Sequence, residues 1–120
     1  MLNIKILIIR GAFFFVFLIS LTLTKAQNRS IILGRPTDNS ITASIMFDQA
    51  MEFYFEYGTS PGSYSNITST FTNTINTPDE IDLTNLSPNT KYYYRVQYRL
   101  AGASIYTPTP EYSFQTQRSA

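Results

Sequence analysis

The stretch from Leu86 to Tyr92 most constrains what this chain can fold into. Its leucine is followed two residues later by Pro88, then by Thr90, and Tyr92 opens a run of alternating residues. This arrangement is typical of the crossover between the two sheets of a small β-sandwich, where the tyrosine hydroxyl hydrogen-bonds back to the crossover backbone. The sequence therefore predicts a structural corner formed by Leu86, Pro88, Thr90 and Tyr92.

Residues 1–26 are predicted to be a signal peptide that is not part of the folded domain. Lys5 and Arg10 precede an almost wholly apolar run over residues 11–23, and Ala26 provides a small residue at the cut. The alternative is an uncleaved membrane anchor, which needs an apolar run of about 20 residues. We therefore expect a secreted or cell-surface protein (periplasmic in a bacterium), with membrane contact only through this segment if it stays uncleaved.

The amino-acid composition argues against several classes of function. Without the predicted signal peptide, six Lys and Arg remain against eight Asp and Glu, and this balance argues against nucleic acid as a partner. The chain has neither histidine nor cysteine, which excludes a Ser-His-Asp or Cys-His nucleophile and a zinc site built from these residues. We therefore predict that the chain is not an enzyme by itself and binds no cofactor.

Apolar residues alternate with period two after the signal segment, and turn signals recur roughly every 8–12 residues, as in all-β domains. This predicts a seven-stranded antiparallel immunoglobulin-like sandwich over residues 30–117, with 118–120 starting a linker or tail. Thr107–Pro110 is placed before the last strand, which keeps proline out of the pairing region. The predicted strands are Ser30–Leu33, Ser40–Phe47, Met51–Gly58, one or two edge strands around Ile67 and Phe71, Glu80–Leu83, Lys91–Leu100 and Glu111–Thr116.

The alternation also assigns faces to the strands. The opposite register of the third strand would bury Glu52 and Glu56, at a high cost in free energy. Residues predicted to carry the core are Phe53, Phe55, Tyr94, Val96 and Phe114, and Tyr112 is predicted to point inward with Phe114.

The third strand and the long strand are predicted to be antiparallel neighbours that share an outward face. The residues of this predicted interaction face are Glu52, Tyr54, Glu56, Tyr93, Arg95 and Arg99. Cross-strand ion pairing is one interpretation, and a docking surface for another domain is a second. Paired carboxylates also occur in glycosidases, but a flat sheet has no cleft for that chemistry.

The sequence offers two further candidate sites. The outward rings of Tyr54 and Tyr93, with Tyr64 and Tyr106 in loops, could bind sugars or another protein. A calcium site from the acidic residues of the 79–82 segment has a spacing that matches no known calcium loop.

Three segments resemble a fibronectin type III domain: 56–60 (EYGTS), 86–96 (LSPNTKYYYRV) and 112–116 (YSFQT). They are similar to the module that precedes the catalytic domain in purple acid phosphatases and in related secreted metallophosphoesterases and alkaline phosphatases of the PhoD type. The resemblance implies a non-catalytic accessory domain of a secreted phosphatase-like protein, present as an N-terminal fragment or a stand-alone copy. Its implied partner is a catalytic domain or another protein domain. The alternative is an independent cell-surface adhesion or glycan-binding module.

The chain departs from the family in one respect. Many fibronectin type III domains have a tryptophan in the second strand, and this chain has none, so Phe47 or Phe55 would have to fill that volume. The metal-binding Asp-x-His and Gly-Asn-His patterns of the phosphatases require histidine and do not carry over.

Overall fold

The computed structural model describes residues 29–120, and the predicted signal peptide lies outside this part. These residues form nine β-strands and no helix, and therefore no helix able to cross a bilayer. The strands are β1 (Arg29–Gly34), β2 (Ile41–Phe47), β3 (Met51–Gly58), β4 (Asn66–Ile67), β5 (Phe71–Thr72), β6 (Asp79–Leu83), β7 (Lys91–Leu100), β8 (Thr107–Pro108) and β9 (Tyr112–Gln115).

All pairings are antiparallel, and the strands form two sheets that enclose one core. The small sheet has the order β1-β2-β6. In the large sheet β3 and β7 are central, with β4 and β5 along the far side of β3 and β8 and β9 along the far side of β7. The predicted all-β, two-sheet architecture is thus present, and so is the predicted pairing of the third strand with the long strand.

The core follows the alternation of the sequence. In β2 every second residue is buried, and in β3 the residues Met51, Phe53 and Phe55 are buried while their neighbours are half-buried. Tilted contacts between rings connect the two layers, with the centroid of Phe47 5.4 Å from that of Phe53 and 6.0 Å from that of Tyr98. Burial raises the pKa of Tyr94 to about 12, because the phenolate would lose its water.

The strand number differs from the predicted seven. The Ser/Thr/Asn-rich middle of the chain forms two separate two-residue strands, β4 and β5, that pair with different parts of β3. In addition, Thr107 and Pro108 pair with Tyr98 and Gln97, so Pro108 lies inside a strand rather than before it. An edge strand tolerates proline because only one of its two sides has to donate hydrogen bonds.

The last strand is less buried than its pattern indicates. Phe114 is half-buried and packs on the core with its ring stacked on Tyr92 at 5.4 Å. Tyr112 contacts Tyr94 at 5.6 Å but keeps 39% of its surface exposed. Both lie on an edge strand that spans only four residues, and no further strand covers their outer side in residues 29–120.

The crossover between β6 and β7 has the expected hydrogen bond. The Ser87 amide donates to the Tyr92 hydroxyl at 2.8 Å, and Leu86 is buried beneath the turn. Asn85 and Asn89 adopt positive φ values of 59° and 48°, a conformation that asparagine tolerates better than most residues. The crossover therefore bends at two left-handed residues, and the hydroxyl of Tyr92 at the start of β7 holds the backbone between them.

Thr116 joins this crossover to the end of the chain. Its buried hydroxyl accepts from the Thr90 amide at 2.9 Å and donates to the Ser87 carbonyl at 2.6 Å. The Gln117 amide donates to the Thr37 carbonyl at 3.0 Å, and the Gln117 carbonyl accepts from the Asn89 amide at 2.8 Å. The C-terminal residues are thus fixed to the end of the sandwich where β1 ends and β2 begins.

Candidate functional site

The β3–β7 register brings the predicted interaction face together. Glu52 lies opposite Arg99, Tyr54 opposite Gln97, Glu56 opposite Arg95 and Gly58 opposite Tyr93. We call the seven side chains on this side of the large sheet the outward face: Glu52, Tyr54, Glu56, Tyr93, Arg95, Gln97 and Arg99. All seven are half-buried, so the outward face is a packed polar layer and not the freely exposed flat surface expected from the sequence.

Two ion pairs cross the layer. Arg95 Nε lies 2.5 Å from Glu56 Oε2, and the side chain of Glu56 is only 12% exposed. Arg99 Nη2 lies 3.3 Å from Glu52 Oε2, and the Gly102 amide donates to Glu52 Oε1 at 3.1 Å. The bond from Gly102, followed by the one from Arg99, lowers the pKa of Glu52, while the bond to Glu56 raises the pKa of Arg95. The carboxylates therefore hold the guanidinium groups in place.

Two loop tyrosines fold onto this layer and half-bury it. The Arg95 guanidinium carbon lies 4.8 Å from the ring centroid of Tyr64, and that of Arg99 lies 4.3 Å from the ring centroid of Tyr106. Tyr106 also meets the edge of Tyr54 at 4.9 Å. These distances are within the range of cation–π and aromatic contacts. The sequence analysis placed both tyrosines in loops. The period-two alternation predicts the direction of a side chain only within a strand, so it could not predict these contacts.

Glu111 fixes one of these loops and was not identified from the sequence. Its Oε2 accepts from the Tyr64 hydroxyl at 2.5 Å and from the Gly62 amide at 2.7 Å. The Tyr64 bond, then the Gly62 bond, lowers the pKa of Glu111. We call residues 59–65 the strap, because they leave β3 and place Tyr64 over Arg95 of β7. A sequence signal for this contact was absent, since the partners are 47 and 49 positions apart.

The strap starts from a close backbone approach at Gly58. A Cβ atom at this position would lie 2.5 Å from the carbonyl oxygen of Ser63 and 3.2 Å from the Ser65 amide nitrogen. No real Cβ contact is that short, so only glycine fits at the end of β3. The position of Tyr64 on the outward face thus depends on a glycine six residues before it.

The acidic residues considered for calcium do not converge. Asp79 accepts from the Thr74 amide at 2.9 Å, Asp82 from the Thr42 hydroxyl at 2.6 Å, and Glu80 pairs with Arg35 at 2.7 Å. Successive residues of a strand point to opposite faces, which places Asp79 on the other face of β6 from Glu80 and Asp82. Within residues 29–120 no group of three His, Cys, Asp or Glu side chains could hold a metal ion.

Comparisons with known proteins bear on the fold. No protein-family model and no curated protein matches the chain. Among solved structures, the sensor domain of the anti-sigma factor RsgI4 from Pseudobacteroides cellulosolvens superposes with a TM-score of 0.60 at 15% identity, over 79% of this chain and 93% of that one.

Two larger proteins contain a similar domain. The FN1–FN3 domains of chicken CNTN1 match with a TM-score of 0.54 at 16% identity, over 79% of this chain and 33% of that one. PhoD matches with a TM-score of 0.54 at 16% identity, over 74% of this chain and 19% of that one. Identities this low show the fold alone. These structural matches, the two antiparallel sheets and the tyrosine at the crossover together show that the chain has the sandwich fold of fibronectin type III-like domains.

Proposed function

We propose that this chain is a non-catalytic interaction module that binds a folded protein domain through its outward face. The observation that carries the proposal is the locked layer in which Arg95 and Arg99 are each stacked on a tyrosine and bound to a glutamate. Arginine and tyrosine are enriched among the residues that dominate binding energy at protein interfaces. Side chains that are already held in one arrangement lose little conformational entropy when a partner binds.

A protein partner fits this face better than a sugar does. A sugar ring binds against an open aromatic face, but one face of Tyr64 and one face of Tyr106 are already covered by guanidinium groups. Tyr54 and Tyr93 are four register positions apart, about 13 Å along the strands, which is too far for one sugar ring to contact both. The side chains of Arg95 and Arg99 are still 34% and 25% exposed, and guanidinium N–H groups suit backbone carbonyls or carboxylates of a protein.

The similar structures support the setting of such a module. The RsgI4 match is a sensor domain, which supports a sensing or binding role at or outside the cell surface. The PhoD match covers only 19% of that chain, which supports an accessory position beside a catalytic domain. The finer proposal is therefore an accessory domain of a secreted metallophosphoesterase-like protein, whose partner is a catalytic domain carried by the same or another chain.

The test is capture from the extracellular fraction of the source organism, followed by calorimetry with the identified and purified partner. Tyr93→Ala removes a ring from the outward face, and Tyr112→Ala removes a ring from β9, away from it. We expect Tyr93→Ala to weaken binding at least about tenfold and Tyr112→Ala to leave it within about twofold, because tyrosine is enriched among the interface residues whose truncation costs about 2 kcal/mol or more. Equal losses for both variants, or retention of polysaccharide instead of a protein, would refute the proposal.

A further inference from the structure

The strand edges of the sandwich differ in how they are protected. An edge strand presents unpaired N–H and C=O groups that can pair with another chain, and natural proteins protect such edges with charges, proline or short strands. In the small sheet, β6 carries three acidic residues within its five positions. In the large sheet, β4 and β5 are two residues long, β8 contains Pro108, and Pro110 comes shortly before β9.

Residues 30–34 of β1 have none of these protections, and its flanks are Arg29 before them and Arg35 and Pro36 after them. It pairs with β2 at all six of its positions, and over residues 29–120 no other strand pairs with it. It contains no proline, and its one charged residue, Arg29, lies at its first position. In its centre Ile32 is 64% exposed and is flanked on the same face by the small residues Ser30 and Gly34. β1 therefore combines an open backbone edge with an exposed apolar side chain.

We infer that β1 is a self-association edge, at which two copies of this chain pair antiparallel about a twofold axis with Ile32 opposite Ile32. In this register Ile31 lies opposite Leu33 and Ser30 opposite Gly34 of the second copy. Opposite residues in antiparallel strands point to the same face, so the two exposed isoleucines cover each other. This inference concerns a different surface from the outward face and does not depend on the function proposed for it.

The charges of β1 are compatible with a second copy as the occupant. Residues 30–34 carry no charge, so self-pairing places no like charges within the paired segment. The nearest cations, Arg29 and Arg35, would meet just beyond it, and Arg35 already has a carboxylate partner in Glu80 at 2.7 Å. Arg29 is turned toward the large sheet, where its Nη1 donates to the Tyr98 hydroxyl at 3.3 Å.

The geometry also limits the assembly to two copies. The joined sheet would have the order β6-β2-β1-β1-β2-β6, and both of its outer edges would be the acidic β6. An isologous contact of this kind closes on itself, because the same surface is used by both partners. The large sheets lie in the other layer, so the outward face of each copy would stay free.

The association should be weak. Pairing of two strands over the five residues 30–34 buries much less than the roughly 1,200 Å² of a stable interface, so we expect a dimer Kd above about 1 μM. The protein would then form dimers at high local concentration, for example when many copies are held on one surface.

Sedimentation equilibrium of the purified protein over a wide concentration range tests the inference. Ile32→Lys should raise the dimer Kd at least about tenfold, because two lysines would face each other across the axis. Ile67→Lys is the matched control, since Ile67 is 63% exposed on the edge strand β4 of the other sheet, and its Kd should stay at the wild-type value. Circular dichroism would verify that both variants fold.

Cross-linking tests the register independently, because the chain has no native cysteine. Directly opposite residues in antiparallel strands have Cα atoms about 4.5–5.5 Å apart, within the range of a disulfide. Ile32→Cys should therefore form a disulfide-linked dimer under mild oxidation much faster than Ile67→Cys. A protein that stays monomeric, a dimer that Ile32→Lys leaves intact, or equal cross-linking of the two cysteine variants would overturn the inference.

Discussion

The hydroxyl of Tyr92 lies 2.8 Å from the backbone nitrogen of Ser87, five positions earlier in the chain. This one hydrogen bond joins the start of β7 in the large sheet to the crossover from the small sheet. The ring of Tyr92 is also stacked on the ring of Phe114, at an interplanar angle of 15°. Tyr92 therefore acts through two separable contacts, a polar one at the crossover and an apolar one in the core.

Removal of the hydroxyl alone should measure the polar contact. Tyr92→Phe keeps the stacked ring but leaves the Ser87 amide without its acceptor, and we expect a loss of about 1 kcal/mol in the free energy of unfolding. In a domain of this size that lowers Tm by about 4–8 °C in thermal unfolding followed by circular dichroism. Tyr93→Phe, one position away on the half-buried outward face, is the control and should change Tm little. An unchanged Tm for Tyr92→Phe would show that the crossover is held by packing alone.

The close approach of the Ser63 backbone to Gly58 leads to a second prediction. Gly58→Ala places a methyl group 2.5 Å from the Ser63 carbonyl, so the strap has to move, at a cost of about 1–3 kcal/mol. Gly34→Ala is the matched control, because a Cβ there meets no atom within 4 Å. Chemical denaturation gives the free energies, and the NMR ring signals of Tyr64 report whether it has left Arg95. Equal stability of the two variants would contradict the geometry of the strap.

The burial of the Arg95–Glu56 pair sets its strength. A double-mutant cycle with Arg95→Ala and Glu56→Ala should give a coupling free energy of about 1 kcal/mol, near the upper end for surface pairs. The same cycle on Arg35 and Glu80, whose side chains are 66% and 62% exposed, should give a smaller coupling despite a similar distance of 2.7 Å. Couplings of equal size would mean that distance, and not burial, decides the strength of these pairs.

Acid should loosen the strap through Glu111. Its pKa is lowered from 4.5 by the Tyr64 hydroxyl and the Gly62 amide, so the folded state favours the ionised carboxylate. The resulting stabilisation is fully present above pH 4.5 and is lost as pH falls through the lowered pKa of the folded state.

The measurement is the free energy of unfolding of wild type and Glu111→Gln across this pH range. We expect the variant to be less stable than wild type near neutral pH and the difference to shrink in acid. Glu52, whose pKa is lowered as well, should keep part of the acid sensitivity in both proteins. A difference between the two proteins that stays constant with pH would show that the carboxylate charge of Glu111 does not hold the strap.

Period-two patterns predicted the central part of this fold. In β3 and β7 each residue had to point either inward or outward, and burying glutamates was too costly, so the pairing of Glu52 and Glu56 with Arg99 and Arg95 could be anticipated. Both ion pairs are present in the structure. The same reasoning worked least well at the edges, where Tyr112 and Phe114 have the inward pattern but too few neighbours to be fully buried.

The covering of the outward face could not be predicted in this way. Tyr64 and Tyr106 lie in loops, where no repeat relates sequence position to direction, and their positions depend on tertiary contacts. The contact of Glu111 with Gly62 and Tyr64 joins segments far apart in the chain. A single sequence contains the residues of such a contact but no local signal that pairs them.

The hydrogen bonds of Gln117 have a consequence for anything joined to this domain. Arg29 opens β1 beside Phe47, whereas Gln117 is bonded to Thr37 and Asn89 at the opposite tip. Arg29 and Gln117 thus lie at opposite ends of the sandwich, separated by roughly the length of β7, about 30 Å. Fluorophores attached at these two positions should report that separation. Copies of the domain joined in series through these two ends would form an extended array and would not fold back on themselves.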